Sequence, residues 1–111
     1  MLYVESNGTI KLTRGDTARL TIDVINDIDG SEYIIHENDT LVMTVKRSTS
    51  DTAIKLQKIL KGSNTFHIEP KDTSDMEFGS YKYDVQLTTS GGDVYTVIEP
   101  STFTLLKEVT Y

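Results

Sequence analysis

Two histidines, His36 and His67, are the side chains of this sequence best suited to acid–base chemistry near neutral pH. His67 lies between Phe66 and Ile68, so on a strand it would point outward, away from the face that those two residues share. No Ser–His–Asp arrangement can be assembled around either ring, and the chain has no cysteine, which excludes a thiol nucleophile, a zinc–thiolate site and a disulfide. We therefore predict that the protein is not an enzyme and has no catalytic residues.

An acidic segment, Asp27–Glu32, resembles part of a calcium-binding loop. With Gly30 at the sixth position, an EF-hand loop would need an acidic first ligand and a glutamate at the twelfth position. The sequence has Ile25 and His36 at those two places, so the motif fails. A looser surface calcium site remains an alternative, formed by Asp27, Asp29 and Glu32. The favoured interpretation is a solvated acidic loop, and we predict neither a metal nor a cofactor.

Three further motifs are explained by turns more simply than by chemistry. Arg14-Gly15-Asp16 matches the tripeptide of integrin-binding loops, but Gly-Asp before a strand is a common turn pair. Asp72 and Asp75 suit a turn better than a glycosidase site, which needs a buried acid of raised pKa. Gly91-Gly92 lacks both the strand–loop–helix context and the following lysine of a phosphate-binding loop.

Composition limits the classes of partner. The net charge of −6 and the pI of about 4.7 argue against nucleic acid, because phosphate contacts need clustered Lys and Arg. Residues 1–5 do not resemble a signal peptide, and no apolar run approaches the ~20 residues of a membrane span. We expect one soluble, intracellularly made domain, residues 1–111, with no membrane partner.

The elements that position these residues are strands, because hydrophobic residues alternate with polar ones through most of the chain. The alternating runs are 19–24, 41–46, 54–57, 66–68, 81–87, 94–98 and 102–106. Turn-forming residues separate them at intervals of roughly 8–12 residues, which is typical of a β-sandwich. The residues predicted to face the core are Leu20, Ile22, Val24, Met43, Val45, Tyr83 and Val85.

The polar stretch before the longest alternating run predicts a crossover between the two sheets. Pro70 cannot donate a ladder hydrogen bond and ends the preceding strand. The side chains from Asp72 to Asp75 can hydrogen-bond nearby amides, which supports a short helical turn near residues 70–76. Met76 and Phe78 are then predicted to close one end of the core, and Gly79 allows a sharp entry into the next strand.

Taken in order, these motifs resemble a known family over about residues 14–106. Gly15-Asp16-Thr17 precedes a strand and Asp29-Gly30 follows it, with Thr44-Val45-Lys46 inside the next strand. Further along come "PKDT", "GSYKYDV" and "GDVY", which begin at Pro70, Gly79 and Gly92. The series is similar to the immunoglobulin-like N-terminal domain of phage baseplate upper proteins. Similar domains occur in tail, baseplate and neck proteins of phages and prophages of Gram-positive bacteria.

The resemblance implies an all-β fold, an immunoglobulin-like antiparallel β-sandwich of seven to eight strands. It also implies a virion structural protein that is assembled in the bacterial cytoplasm and docks on other virion proteins, with copies of itself as a further partner. The chain departs from baseplate upper proteins by ending at Tyr111 without a coiled coil or receptor-binding region, so the expected role is that of a small stand-alone virion or prophage protein, a tail, baseplate or neck component. Strand edges and outward residues such as Val42 would supply the contacts. The alternative is a carbohydrate- or ligand-binding module that uses Tyr33 and Tyr95, and an adhesion domain using Arg14–Asp16 is a third.

Overall fold

A computed structural model describes residues 2–4, 8–25 and 30–108, and gives the backbone alone for residues 2–4. The described residues form eight strands and one short helix. In chain order these are β1 (Leu2–Val4), β2 (Ile10–Thr13), β3 (Ala18–Thr21), β4 (Thr40–Lys46), β5 (Ile54–Lys61), β6 (Thr65–Ile68), α1 (Pro70–Thr73), β7 (Gly79–Thr88) and β8 (Val94–Leu106). The predicted all-β class with a short helical turn is confirmed. No helix in the described ranges has the length and hydrophobicity of a membrane span.

The larger sheet has six strands in the order β1-β2-β8-β7-β4-β5. Its pairs are antiparallel except for β2 and β8, which run parallel from Ile10 opposite Phe103 to Thr13 opposite Leu106. The prediction of a purely antiparallel fold is therefore wrong at this pair. A parallel pair needs a long connection rather than a hairpin, and here most of the chain lies between the two strands. β1 and β2 were not predicted from the sequence, although Ile10 and Leu12 alternate with Lys11 and Thr13 in β2.

The smaller sheet pairs β3 with β6 and forms the second layer. Its buried side chains, among them Leu20 and Phe66, join those of the larger sheet in one hydrophobic core. All seven side chains predicted to face inward are buried: Leu20, Ile22, Val24, Met43, Val45, Tyr83 and Val85. Alternation assigns these faces correctly because only one face of each strand meets the opposite layer.

The predicted strand over residues 19–24 is shorter in the structure, where β3 ends at Thr21. The Ile22 amide donates to the Asn64 carbonyl at 2.8 Å, and the Asn64 side-chain amide donates back to the Ile22 carbonyl at 3.1 Å. Because β6 begins only at Thr65, Ile22 pairs with a turn residue instead of a strand. The side chains of Ile22 and Val24 remain buried beyond the end of the strand.

The two strands predicted over residues 94–98 and 102–106 are one continuous strand, β8. Its pairing with β7 shifts register between Tyr83 and Val85, and again between Val85 and Gln86. Such bulges place an extra residue on one strand and accommodate a proline, which has no N–H for the ladder. Pro100 therefore lies inside β8 and does not end it.

The predicted crossover between β6 and β7 is confirmed, since the two strands belong to different sheets. The helix begins at Pro70, where a missing N–H costs nothing, and the Glu69 amide donates to Asp72 Oδ2 at 2.7 Å. Thr73 is fully buried and its hydroxyl accepts a hydrogen bond from the Gly15 amide at 2.9 Å. The turn-forming residues thus join α1 to the β2–β3 turn.

The prediction for Phe78 is wrong, whereas Met76 is buried as expected. The Phe78 side chain is 44% exposed. Two cations lie close to its ring, with the Arg14 guanidinium 5.0 Å and the Lys107 ammonium 5.6 Å from the centroid. Cation–π attraction stabilises the ring at the surface.

Candidate functional site

The Arg14-Gly15-Asp16 motif forms the turn between β2 and β3, as the turn interpretation predicted. The Asp16 amide donates to the Thr13 carbonyl at 3.1 Å, and Gly15 has a φ of +87°. Arg14 donates to both carboxylate oxygens of Glu108, at 2.6 Å from its Nη2 to Oε1. These hydrogen bonds hold the pKa of Glu108 below its usual range. The guanidinium is engaged in holding the end of β8 against the turn.

A hydrogen-bond cluster around His36 was not predicted from the sequence. The Asp39 carboxylate is almost fully buried, and its Oδ2 accepts from the Tyr33 hydroxyl at 2.6 Å and from the His36 amide at 3.0 Å. His36 Nδ1 lies 3.2 Å from the same oxygen, while Asp39 Oδ1 accepts from the Ser90 amide at 3.2 Å. Tyr33, His36 and Asp39 are spaced three residues apart, which is the only signal in the sequence that could have identified the cluster.

The electrostatics of this cluster follow from its donors. The Tyr33 hydroxyl and the backbone amides lower the pKa of Asp39 to about 2, and the same carboxylate raises the pKa of Tyr33. The Asp39 backbone also accepts from the Gly62 amide at 2.9 Å. Asp39 therefore ties three loops together: its carboxylate joins the chain before β4 to the β7–β8 turn, and its backbone carbonyl binds the β5–β6 turn. An aspartate orienting a histidine needs a nucleophile on the other ring nitrogen for hydrolysis. The contacts seen here fit a structural link between loops.

The remaining predicted sites are dispersed. Asp27 and Asp29 of the looser calcium alternative lie outside the described residues, and Glu32 is exposed opposite Ile25. Within the described ranges, no three His, Asp or Glu side chains are grouped to hold a metal ion. His67 is exposed on β6, as predicted. The Asp72 carboxylate is ion-paired with Lys58 Nζ at 2.6 Å and caps the start of α1 by accepting from the Glu69 amide. Its charged partner is thus a lysine and not a second carboxylate.

The two tyrosines of the predicted ligand platform differ in exposure. Tyr95 is 54% exposed at the start of β8. Tyr33 is half-buried, its hydroxyl is bound to Asp39, and its ring contacts the His36 imidazole edge-on at 5.5 Å.

Gly91-Gly92 forms the hairpin turn between β7 and β8, with a φ of +90° at Gly92. This turn leads from one strand into another and is followed by Asp93, whereas a phosphate-binding loop leads into a helix and is followed by a lysine.

The edge of the larger sheet formed by β5 is an exposed surface, which we call the β5 edge. Among the described strands, β5 pairs only with β4, so the backbone groups on its other side are not used in the sheet. Ile54 and Ile59 are 51% and 64% exposed. Val42, the outward residue named from the sequence, lies directly opposite Ile59 and is half-buried. Exposed apolar groups beside unused strand hydrogen bonds provide the two components of strand addition.

A second surface feature lies on the outer face of the larger sheet, and we call it the β4–β7 depression. It has a volume of about 260 Å³. Lys46 and Lys82 lie directly opposite each other on β4 and β7 and both line it. Thr44, Asp84, Gln86 and Pro100 also line the depression.

This depression was not predictable from the sequence. Lys46 and Lys82 are 36 positions apart and become neighbours only through the register of β4 with β7. In the printed sequence, each is simply the polar member of an alternating pattern.

A scan against protein-family models found no match, and a search of curated proteins also found none.

Proposed function

We propose that this chain is a non-enzymatic structural protein of a phage or prophage virion, a tail, baseplate or neck component with an immunoglobulin-like fold. It acts by docking on neighbouring virion proteins. The family resemblance over about residues 14–106 supports the virion assignment. The observation that carries the docking role is the β5 edge.

Two structural features support the immunoglobulin-like part of the proposal. β3 and β6 pair in the smaller sheet, as strands B and E do in a variable-type immunoglobulin domain. The larger sheet contains β8, β7, β4 and β5 in that order, which matches strands G, F, C and C′. Tyr81, near the start of β7, donates its hydroxyl to the Glu77 carbonyl four residues upstream. This contact resembles the tyrosine corner that such domains form where strand F begins, and it supports the proposal.

The charge of the β5 edge favours an acidic, extended segment of a different protein as the occupant. Three of the 11 basic residues lie on this strand, in a chain of net charge −6. Lys58 is paired with Asp72, which leaves Lys55 and Lys61 exposed beside Ile54 and Ile59. A second copy of β5 is a poor occupant, because pairing would bring two lysine-rich strands together. A partner strand with carboxylates beside apolar residues matches both the charge and the apolar side chains.

The first test is whether the chain is present in virions. Particles are purified by density gradient from the producing bacterium after induction, and their proteins are quantified by mass spectrometry. We expect the chain in a fixed ratio to the major tail proteins. Its absence from intact particles, with the free protein abundant in the lysate, would refute the virion role.

The second test concerns the edge itself. Ile59→Glu is expected to reduce incorporation into particles by about tenfold or more, the effect of losing about 1.4 kcal/mol of binding. Ile34→Glu is the matched control, because Ile34 is 65% exposed, nearly the same as Ile59, and lies outside the sheet. Lys61→Glu and Lys71→Glu form a second pair, with one exposed lysine on β5 and one on α1. Equal losses within each pair would rule out the β5 edge as the docking surface.

A further inference from the structure

We propose that the β4–β7 depression binds a phosphate ester of a sugar or polyol. The β5 edge is a separate surface, and this binding site goes beyond the docking role and does not depend on it. The inference rests on the charges, the neighbours and the shape of the depression.

Two lysines are cross-strand neighbours on the outer face of the sheet, and the Lys82 ammonium donates to the Thr102 hydroxyl on β8 at 3.0 Å. Lys46 and Lys82 are direct partners in the β4–β7 register, and both point outward because their neighbours Val45 and Tyr83 are buried. Directly opposed Cβ atoms in a sheet are about 4.5–5.5 Å apart, and like charges at such positions repel. The ion pairs seen among the described residues involve Arg14, His36 and Lys58, not these two lysines. A bound anion would convert the repulsion into two charge-assisted hydrogen bonds.

The other end of the depression suits hydroxyl groups better than a second anion. Asp84 and Gln86 follow Lys82 on the same face of β7 and line the depression with Thr44. Thr44 already accepts a hydrogen bond from Gln57 Nε2 at 3.1 Å. A carboxylate accepts from hydroxyl groups and repels phosphate, so Asp84 favours a ligand with a single anionic end. A phosphate ester of a polyhydroxylated compound has this distribution of charge.

Irregular strand pairing shapes the depression. β8 is bulged beside Asp84, and the register of β4 with β5 shifts between Val45 and Lys46. Pro100 lies in the bulged part of β8 and lines one side. Bulges bend a strand and redirect its side chains, and they are over-represented next to functional sites. Two irregularities at the same level of one sheet produce a concave region on a face that would otherwise be flat.

Titration of the ¹⁵N-labelled full chain with glucose 1-phosphate, inorganic phosphate and glucose, followed by amide chemical shifts, tests the site. We expect saturable shifts on β4 and β7 with glucose 1-phosphate, smaller effects with phosphate, and none with glucose at the same concentration. Lys82→Gln is expected to weaken glucose 1-phosphate binding by about tenfold, the loss of one charge-assisted hydrogen bond. Asp84→Asn is expected to weaken glucose 1-phosphate but not inorganic phosphate.

The control is Lys61→Gln, which removes the same charge from the β5 edge. An equal loss in this variant would show that the protein's general charge drives binding and would overturn the proposal. It would also be overturned by glucose binding as well as glucose 1-phosphate, or by an absence of saturable shifts with a folded spectrum. A second readout is the Tm without ligand, which Lys46→Gln should leave unchanged or raise, since it removes the repulsion from Lys82. A lower Tm would contradict the premise.

These outcomes are separate from those of the docking tests. Ile59 and Lys61 do not line the depression, and Lys46, Lys82 and Asp84 are not on β5. Failure of one proposal therefore leaves the other unaffected.

Discussion

Tyr83 lies in the middle of β7, where the core meets the segment that leads into β2. Its side chain is 2% exposed, and its ring packs edge-to-face on Phe103 with centroids 6.4 Å apart. Its hydroxyl donates to the Gly8 carbonyl at 2.5 Å, and burial raises the pKa of Tyr83. The residue thus makes two separable contributions, ring packing and one buried hydrogen bond.

Two substitutions separate these contributions. Tyr83→Phe keeps the ring and leaves the Gly8 carbonyl without its donor, which should reduce the free energy of unfolding by about 1 kcal/mol. Tyr83→Ala also removes the ring and leaves a cavity against Phe103, for a total loss of about 3–5 kcal/mol. With 111 residues and an unfolding entropy near 2.1 cal/mol/K per residue, 1 kcal/mol corresponds to about 4 °C in Tm. The expected decreases are therefore about 4 °C for Tyr83→Phe and about 12–20 °C for Tyr83→Ala.

Urea unfolding followed by circular dichroism, together with thermal melts, measures both losses. Gln86→Ala is the control, because Gln86 lies on the outer face of the same strand and should change stability by no more than about 0.5 kcal/mol. If Tyr83→Phe lost as much as Tyr83→Ala, packing of the ring would not carry the stability. A neutral Tyr83→Ala with a large loss at Gln86 would refute the assignment of the two faces of β7.

Two more predictions concern the loops. The pKa of Asp39 is lowered to about 2 in the folded protein, compared with about 4 in the unfolded chain. Its contribution to the free energy of unfolding is therefore complete above about pH 4 and is lost as the pH falls from about 4 to about 2. Asp39→Asn should flatten the fall of Tm over that interval, and an unchanged acid profile would show that the carboxylate does not tie the loops. Gly62→Ala should lower the free energy of unfolding in urea more than Gly92→Ala does. Both glycines have a positive φ, so both substitutions strain the backbone. Only at Gly62 would the new Cβ also meet backbone, 3.0 Å from the Glu37 carbonyl oxygen. Equal losses would mean that backbone strain alone determines the cost.

The alternating residues by themselves determined the strand faces and the sandwich class. Tyr81, Tyr83, Val85 and Leu87 recur every second residue, and all four are buried in the structure. A period of two requires no knowledge of the partner strand, because successive side chains on any strand point to opposite faces. The helical turn after Pro70 was also predictable, since capping and proline geometry act within a few residues.

Strand partners and strand ends depended on residues far away in the chain. The parallel pairing of β2 with β8 and the continuation of β8 through Pro100 come from the register with neighbouring strands. Phe78 gave no sign in the sequence that Arg14 and Lys107 would hold it at the surface.

Both candidate sites also depended on tertiary structure. The β5 edge exists because no described strand lies on the other side of β5. The depression exists because β4 and β7 place Lys46 opposite Lys82, and because bulges bend the strands around them. Side-chain alternation is a local property of the backbone, whereas register, edges and bulges are properties of paired strands. The sequence by itself therefore determined which face of each strand is buried, and only the tertiary structure decided which outward side chains lie together.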